Sequence, residues 1–450
     1  MSPLRTEIRD TTKLAWPLVI GFAGSQMLGL VDTAMVGRLG AVELAGCSVG
    51  NALFFTVSVV AMGCIQGMDP LAAQAVGAGE GARATAAFRA AIRLAVLATL
   101  PVAAFALLAL ELLGPLGVDA ATSLAARDYV TGRAVGALPF LGFITYRGML
   151  QARGVTKPVL TSTIVANLVN VVANSLLIFG DATLERFGLP AVGLPALGVL
   201  GAALASSIAS TSQLVVLARA QRSLPPLEGG GDTNLGIRDV LRVGTPIGLT
   251  LLAEVGAFAL VGVLAARIGP EAGAGHNVAI NLASFSFIVT MGLANATSVR
   301  VGQAVGRGDA EGARLGGYVG FGMAAIFMLA TALIFITAAL PLARLLSDRP
   351  EVLAAAVPLI HVAAFFQLFD GVQVVGAAAL RGLGVTRFTQ YTNLVGYYAV
   401  GIPLAILLAF GFGIGAPGLW WGLSAGLVVV STALLSRFVQ LAARPIERLA

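Results

Sequence analysis

The chain has 450 residues, of which 57% are hydrophobic and only 11% are charged, and its formal net charge is +6. Soluble domains usually contain about 25% charged residues, so this composition excludes an ordinary soluble protein and predicts that most of the surface faces lipid. A basic chain could also bind nucleic acid, but the distribution of its charges, described below, argues against that class.

Apolar runs of membrane-spanning length recur along the whole chain. A helix needs about 20 mostly apolar residues to cross the hydrocarbon core of a bilayer, and we identify twelve such segments. They are centred on residues 15–36, 46–66, 91–113, 129–149, 160–180, 194–217, 243–266, 277–297, 316–340, 353–380, 389–410 and 415–439. The sequence therefore predicts an all-α integral membrane protein with twelve transmembrane helices.

The basic residues are unequally divided between the two sides of the predicted membrane. With the N-terminus in the cytoplasm, 21 of the 28 Lys and Arg fall in cytoplasmic segments and the other 7 in outer segments. Such an excess on the cytoplasmic side is typical of membrane proteins. The positive charge therefore reports orientation, with both termini in the cytoplasm, and indicates no nucleic-acid partner.

The two halves of the chain resemble each other at a shift of 229 residues. The sequence "QAVGAG" at 74–79 matches "QAVGRG" at 303–308, and Pro17 matches Pro246. A proline inside a helix removes a backbone hydrogen bond and permits a kink. Because these two prolines are matched across the repeat, we predict that they are hinges.

The repeat predicts how the chain is divided. We expect an N-terminal lobe of six helices over 1–220, a cytoplasmic linker over 221–241 and a C-terminal lobe of six helices over 242–450. Since each repeat contains an even number of spans, a pseudo-twofold axis along the membrane normal relates the two lobes. Transporters use this arrangement to rock one half against the other around a central site.

Three acidic residues lie inside predicted spans: Asp32 near the end of the first, Glu254 in the seventh and Asp370 in the tenth. A charged side chain at the centre of a membrane helix costs about 2.5–3.5 kcal/mol on the insertion scale. No Lys or Arg lies deep enough to pair with them, so each carboxylate must hold a proton or a cation. The pattern indicates ion-coupled transport, although a protonated acid bonded to a neighbouring helix would also explain each residue.

Three amides follow one face of the fifth predicted span. Asn167, Asn170 and Asn174 are spaced i, i+3 and i+7, which places them together on a helix. Asp32 is the nearest unpaired acid in sequence, and Ser206 lies on the next span. Carboxylate, amide and hydroxyl oxygens suit a hard cation such as Na⁺. The alternative is that these side chains only join helices by hydrogen bonds.

Four segments resemble those of a known family. "VDTAMVGRLGAVELAG" at 31–46 and "MGCIQGMDPLAAQAVGAG" at 62–79 resemble the first repeat of the multidrug and toxic compound extrusion (MATE) transporters. "NVVANSLLIFG" at 170–180 and "ALRGLGVTR" at 379–387 are similar to later signatures, and the three embedded acids resemble the NorM-type branch. The resemblance implies two six-helix bundles and a cavity that opens alternately to each side. It also implies, without any cofactor, export of amphipathic and often cationic organic compounds in exchange for Na⁺ or H⁺.

The resemblance also implies which residues bind the coupling ion and the substrate. Na⁺, if it is the ion, would be held at Asp32 with the amides or between Glu254 and Asp370. Phe366, one turn before Asp370, lacks the hydroxyl that a tyrosine offers in some relatives. The ion-coupling residues are Asp32, Asn170, Asn174, Ser206, Glu254 and Asp370, and the substrate-binding residues are Asp32, Glu254, Asp370 and Phe366.

Two other function classes are weighed against this reading. A flippase for lipids or lipid-linked oligosaccharides from the same superfamily would need several Arg or Lys in its cavity, whereas the embedded charges here are acidic. An enzyme is disfavoured because no P-loop, GxSxG or HExxH motif occurs. We therefore expect a monomeric antiporter of a bacterial-type inner membrane, in contact with lipid and with small organic cations. Asp69, in "GMDPL", has no explanation from the sequence.

Overall fold

The computed structural model describes residues 2–186, 188–445 and 448–449, and in these ranges the chain forms helices and no strands. The helices of the first half are α1 (Pro3–Val36), α2 (Ala41–Ile65), α3 (Met68–Gly77), α4 (Gly81–Ala109), α5 (Ala120–Val135), α6 (Ala137–Ala152), α7 (Lys157–Phe179), α8 (Asp181–Arg186) and α9 (Gly198–Ser223). Those of the second half are α10 (Ile237–Ile268), α11 (Pro270–Gly306), α12 (Ala310–Thr337), α13 (Ala339–Arg344), α14 (Pro350–Gly382), α15 (Thr386–Leu394), α16 (Ile402–Ile406) and α17 (Ala416–Ala442). Two π-helical segments, Val395–Gly401 and Leu407–Gly411, flank α16.

The predicted all-α membrane fold is confirmed, with one interrupted span. Eleven helices of the described chain are long and apolar enough to cross a membrane. The fourth predicted span, 129–149, is instead formed by α5 and α6, which meet at Gly136 and have 16 residues each. A Cβ on Gly136 would overlap the side chain of Ser207 on α9. The interruption therefore falls at a close approach of α9 to the backbone, a tertiary contact that hydropathy does not register.

The repeated glutamine–glycine motif forms a reciprocal helix contact between α3 and α11. A Cβ on Gly77 would overlap the carbonyl oxygen of Gln303, and a Cβ on Gly306 would overlap the carbonyl oxygen of Gln74. Each glycine of one repeat thus lies against the backbone of the matching glutamine of the other. Close backbone approach through small residues is how helices associate in lipid, and here the repeat supplies both sides of the contact.

Contacts group the chain into two compact units, each with its own core. The first unit contains the start of the chain to Val19, then Asp69–Glu80 and Leu249–Ala450, and the second contains Ile20–Met68 and Gly81–Gly248. Both α1 and α10 therefore contribute residues to both units. The change of unit occurs two residues after Pro17 in α1 and two residues after Pro246 in α10. The two lobes expected at 1–220 and 242–450 are defined as parts that move against each other during transport. Contacts within one structure do not test such a movement, so the two lobes stay a prediction.

Asp69, unexplained from the sequence, has a basic neighbour in the first unit. Its carboxylate interacts electrostatically with Arg381 near the end of α14. Five residues further along α3, the Gln74 Nε2 donates to the carbonyl oxygen of Gly382 at 2.9 Å, and the Gln74 Oε1 accepts from the backbone N–H of Leu449 at 2.9 Å. These polar contacts fix α3 against the end of α14 and explain an acid at that position.

Asp181 fastens the loop that follows α7. Its carboxylate accepts backbone N–H groups from Val192 at 3.1 Å, Gly193 at 2.8 Å and Leu194 at 3.1 Å. These hydrogen bonds favour the ionised form and lower the pKa of Asp181. The carboxylate therefore holds residues 192–194 beside the end of α7.

We expect Asp181→Ala to lower the thermal midpoint of the detergent-purified protein at pH 7, because three loop N–H groups lose their acceptor. A carboxyl whose pKa is lower in the folded than in the unfolded state stabilises the fold above the unfolded value, about 3.9, and this contribution disappears as the pH falls through the folded value. The gap between wild type and Asp181→Ala should therefore narrow below about pH 4. Glu185→Ala, on the exposed helix α8, is the control, and a gap that stays constant with pH would contradict the assignment.

Candidate functional site

Four of the predicted site residues meet around the carboxylate of Asp32. The Asp32 Oδ1 accepts the Nδ2 of Asn170 at 2.9 Å and the Nδ2 of Asn174 at 2.6 Å, and its Oδ2 accepts the hydroxyl of Ser206. Asp32 lies on α1, the two amides lie one turn apart on α7, and Ser206 lies on α9. The structure therefore brings together all four residues proposed for the first-lobe site, and we call them the Asp32 cluster.

The oxygen atoms of the Asp32 cluster are buried and could bind a cation. Asp32 is 5% exposed, and Asn170 and Asn174 are fully buried. No Lys or Arg of the described chain forms an ion pair with Asp32. In addition, the Asn174 Oδ1 has no hydrogen-bond partner among the described residues. A carboxylate beside a free amide oxygen is a donor set that fits Na⁺.

Asn167, the third amide of the predicted face, has a different task. Its Nδ2 donates to the backbone carbonyl of Gly24 on α1 at 2.9 Å. One turn earlier on α7, the hydroxyl of Thr163 lies 3.4 Å from the carbonyl oxygen of Gly21. These contacts join α7 to α1 on the N-terminal side of the Asp32 cluster in both helices. The interhelical bonding considered from the sequence therefore applies to Asn167, whereas Asn170 and Asn174 contact the acid.

Glu254 and Asp370 meet in the first unit. Glu254 lies on α10 and is half-buried, Asp370 lies on α14 and is buried, and the two carboxylates interact electrostatically. Phe366, one turn before Asp370, packs edge-on against Phe258 at 5.9 Å between ring centroids and against Trp420 at 5.5 Å. We call Glu254, Asp370 and these three rings the second acid site.

The remaining predicted residues lie on long helices. Pro17 is inside α1 and Pro246 is inside α10, and both helices continue through them. The substrate-binding set of Asp32, Glu254, Asp370 and Phe366 is drawn from both contact units, so a joint action of these residues remains a prediction.

Two tyrosines near the acids were missed from the sequence. Tyr129 on α5 is buried, its hydroxyl bonds to the Oδ1 of Asn51 at 3.3 Å, and it also contacts Ser206 of the Asp32 cluster. Tyr397 is fully buried and interacts electrostatically with Glu254 and Asp370. Tyr397 lies in a largely apolar run, where a tyrosine resembles any packed ring, whereas Tyr129 directly follows Asp128 near the start of the fourth predicted span. An available signal was the rarity of tyrosine, of which the chain has only six.

Comparison with known proteins agrees with this architecture. A family model described as MatE matches residues 17–176 and 246–407, and its two segments begin at the repeat-matched prolines. The probable multidrug resistance protein NorM of Deinococcus radiodurans is 36% identical over 446 residues, which cover 96% of this chain and 95% of that protein. The probable multidrug resistance protein NorM of Bradyrhizobium diazoefficiens is 33% identical and covers 98% of this chain and 95% of that protein.

Solved structures share the fold. The eukaryotic MATE transporter AtDTX14 aligns with a TM-score of 0.85 at 22% identity, over 97% of this chain and 96% of that one. The Vibrio cholerae MATE transporter VcmN in the bent form aligns with a TM-score of 0.83 at 20% identity, over 98% of both chains. The matched family model extends over both repeats, and the NorM relatives match nearly the whole chain. This protein therefore belongs to the multidrug and toxic compound extrusion (MATE) family, in its NorM-type branch.

Proposed function

We propose that this chain is a cation-coupled multidrug antiporter of a bacterial inner membrane. It exports amphipathic, often cationic, organic compounds and admits Na⁺ or H⁺ in exchange, by alternating access between two lobes whose termini are cytoplasmic. Membership of the family makes it a transporter and not an enzyme. The observation that carries the proposal is the Asp32 cluster, because it places on a membrane-spanning helix a buried acid that forms no ion pair with any basic residue the structure describes.

Cation binding at Asp32 would alter how α1 is held. The carboxylate already accepts hydrogen bonds from two amides on α7 and one hydroxyl on α9. Three of the roughly four acceptor positions of a carboxylate are then occupied, and a proton or Na⁺ that takes the remaining one makes the same oxygens poorer acceptors. Binding of the cation therefore weakens the bonds that join the outer half of α1 to α7 and α9.

The cytoplasmic half of α1 is held separately. The Arg300 guanidinium on α11 donates to both carboxylate oxygens of Glu7, through Nε at 2.8 Å and through a second nitrogen. Pro17 lies between this ion pair and Asp32, next to the point at which α1 passes from one contact unit to the other. We propose that Pro17 acts as the hinge of α1 and that Pro246 acts in the same way in α10, which carries Glu254.

Glu254 and Asp370 are proposed as a second cation site. Their two carboxylates interact electrostatically and form no ion pair with any Lys or Arg of the described chain, so one bound cation would relieve their mutual repulsion. A cationic drug would bind the same carboxylates as the coupling ion, at Asp32, Glu254 or Asp370, and would pack against aromatic rings such as that of Phe366. Competition between drug and coupling ion for these carboxylates is what makes the exchange obligatory.

Ethidium transport in liposomes tests the proposal. We expect that purified protein moves ethidium when a Na⁺ or a pH gradient is imposed, and that collapsing both gradients stops it. For one net inward charge per cycle, a potential of 100 mV supplies about 2.3 kcal/mol, which supports a concentration ratio of about 50 at equilibrium. Protein-free liposomes are the control. Ethidium transport that is unaffected when both gradients are collapsed would overturn the antiport mechanism.

A further inference from the structure

Tyr397 carries a hydroxyl group that is buried in the first unit. The side chain is fully buried, and its hydroxyl has no hydrogen-bond partner among the described residues. Burying a hydroxyl without a partner costs free energy, and Phe would fill the same space without that cost. A buried orphan hydroxyl therefore calls for an explanation in terms of something it binds.

The register of two helices places this hydroxyl beside the second acid site. Residues 383–385 connect α14 and α15 by a short turn, so the two helices run antiparallel. The Gln373 Nε2 on α14 donates to the Asn393 Oδ1 on α15 at 3.0 Å. Asp370 lies one turn back along α14 from this bond, and Tyr397 lies one turn forward along its own helix. In an antiparallel pair these steps reach the same level, and Tyr397 does interact electrostatically with Asp370.

The backbone is irregular where Tyr397 lies. Residues Val395–Gly401 form a π-helical segment, and such segments occur often at functional sites because the extra residue re-aims side chains. The next residue, Tyr398, points elsewhere, and its hydroxyl donates to the carbonyl oxygen of Ala253 on α10 at 2.9 Å. The ring of Tyr397 packs on Phe258 at 6.2 Å, the same ring that Phe366 contacts from another side.

We propose that Tyr397 is a third polar residue of the second acid site and that its hydroxyl oxygen binds a Na⁺-sized cation together with Glu254 and Asp370. It supplies from the π-helical segment the hydroxyl that Phe366 lacks. Tyr397, Phe366 and Trp420 are all buried, so a cation bound beside them would be shielded from water. This inference rests on the proposed second cation site and adds a ligand to it.

Na⁺ binding to purified protein tests the inference. We expect ²²Na⁺ to bind saturably to the wild type, and Tyr397→Phe to weaken its affinity about tenfold, as loss of one bond to a charged group does. In the absence of Na⁺, Tyr397→Phe should be at least as heat-stable as the wild type, because an unpaired buried hydroxyl has been removed. Addition of Na⁺ should then raise the thermal midpoint of Tyr397→Phe less than that of the wild type. If Tyr397 had only a structural role, Tyr397→Phe would not lower the Na⁺ affinity while leaving the heat stability in the absence of Na⁺ unchanged or higher.

Matched variants make the test decisive. Tyr391→Phe removes an exposed hydroxyl from the same helical stretch and should leave Na⁺ affinity unchanged. Phe366→Tyr in the Tyr397→Phe background returns a hydroxyl from another wall of the site and should restore affinity. If Tyr397→Phe binds Na⁺ as the wild type does, or if Tyr391→Phe is equally impaired, Tyr397 is not a ligand.

Asp370→Asn separates this inference from the proposed function. Loss of Na⁺ binding in Asp370→Asn with normal binding in Tyr397→Phe would overturn the inference and leave the second cation site standing. Normal Na⁺ binding in both Asp370→Asn and Glu254→Gln would overturn the second cation site itself. Absence of Na⁺ binding in the wild type would reject Tyr397 as a Na⁺ ligand, while ethidium transport driven by a pH gradient would still support the antiporter.

Discussion

We expect Asp32→Asn to abolish gradient-driven ethidium transport while the protein remains folded. The substitution keeps the shape of the side chain: its Oδ1 can still accept the amides of Asn170 and Asn174, and its new amide can donate to the hydroxyl of Ser206, whose oxygen is also an acceptor. Only the negative charge is lost, and with it the group that takes the cation. Coupling between two ligands typically amounts to about 5–150-fold in affinity, so the ethidium gradient that coupling sustains should fall at least about fivefold, to the level of protein-free liposomes.

The control for Asp32→Asn is Asp128→Asn, which removes an exposed carboxylate from α5 and should transport like the wild type. The thermal midpoint of Asp32→Asn should equal or exceed that of the wild type, because a buried charge has been neutralised without loss of its bonds. Normal transport by Asp32→Asn under both a Na⁺ and a pH gradient would remove Asp32 from the coupling mechanism. An unstable Asp32→Asn protein would show that the charge itself holds α1 in place.

The number and course of the helices could largely be read from the sequence, because lipid imposes a simple condition on length and apolarity. The fourth span is the exception, since its interruption at Gly136 leaves no trace in hydropathy. Asp69 illustrates the same limit. Its neighbour Arg381 lies in the other half of the chain, and the contact arises from the way α3 meets α14, which no local pattern records.

The residues of the Asp32 cluster could be predicted because helical spacing placed three amides on one face and Asp32 was the nearest unpaired acid in sequence. Nothing in the spacing distinguished Asn167, which bonds to the α1 backbone, from Asn170, which bonds to the acid. That difference depends on which residues of α1 face each turn of α7, namely Gly24 opposite Asn167 and Asp32 opposite Asn170. Tyr397 was missed for a related reason: a π-helical segment changes the direction of side chains, so ordinary helical spacing does not identify which of two adjacent tyrosines faces the acids.

The reciprocal contact of the glutamine–glycine motif leads to the second large effect. We expect Gly306→Ala to lower the thermal midpoint markedly, because its Cβ would overlap the backbone carbonyl of Gln74, which cannot rotate away. Forcing atoms into a packed contact costs about 1–3 kcal/mol or more, and this exceeds the roughly 1 kcal/mol that Ala gains over Gly in a helix. Gly322→Ala, on α12 with open space at its Cβ, should be neutral or stabilising. A Gly306→Ala protein as stable as Gly322→Ala would contradict the close approach.

The reciprocal contact also predicts how Gly77→Ala and Gly306→Ala combine in a double variant. Gly77→Ala should be destabilising for the same reason, since its Cβ would overlap the carbonyl of Gln303. Because both overlaps are relieved by one outward movement of α3 from α11, the second substitution should cost less than the first. Residues that share a backbone shift couple in this way, whereas independent sites add. Thermal midpoints of the two single variants and the double variant measure the difference, and strict additivity would show that the two glycines occupy separate contacts.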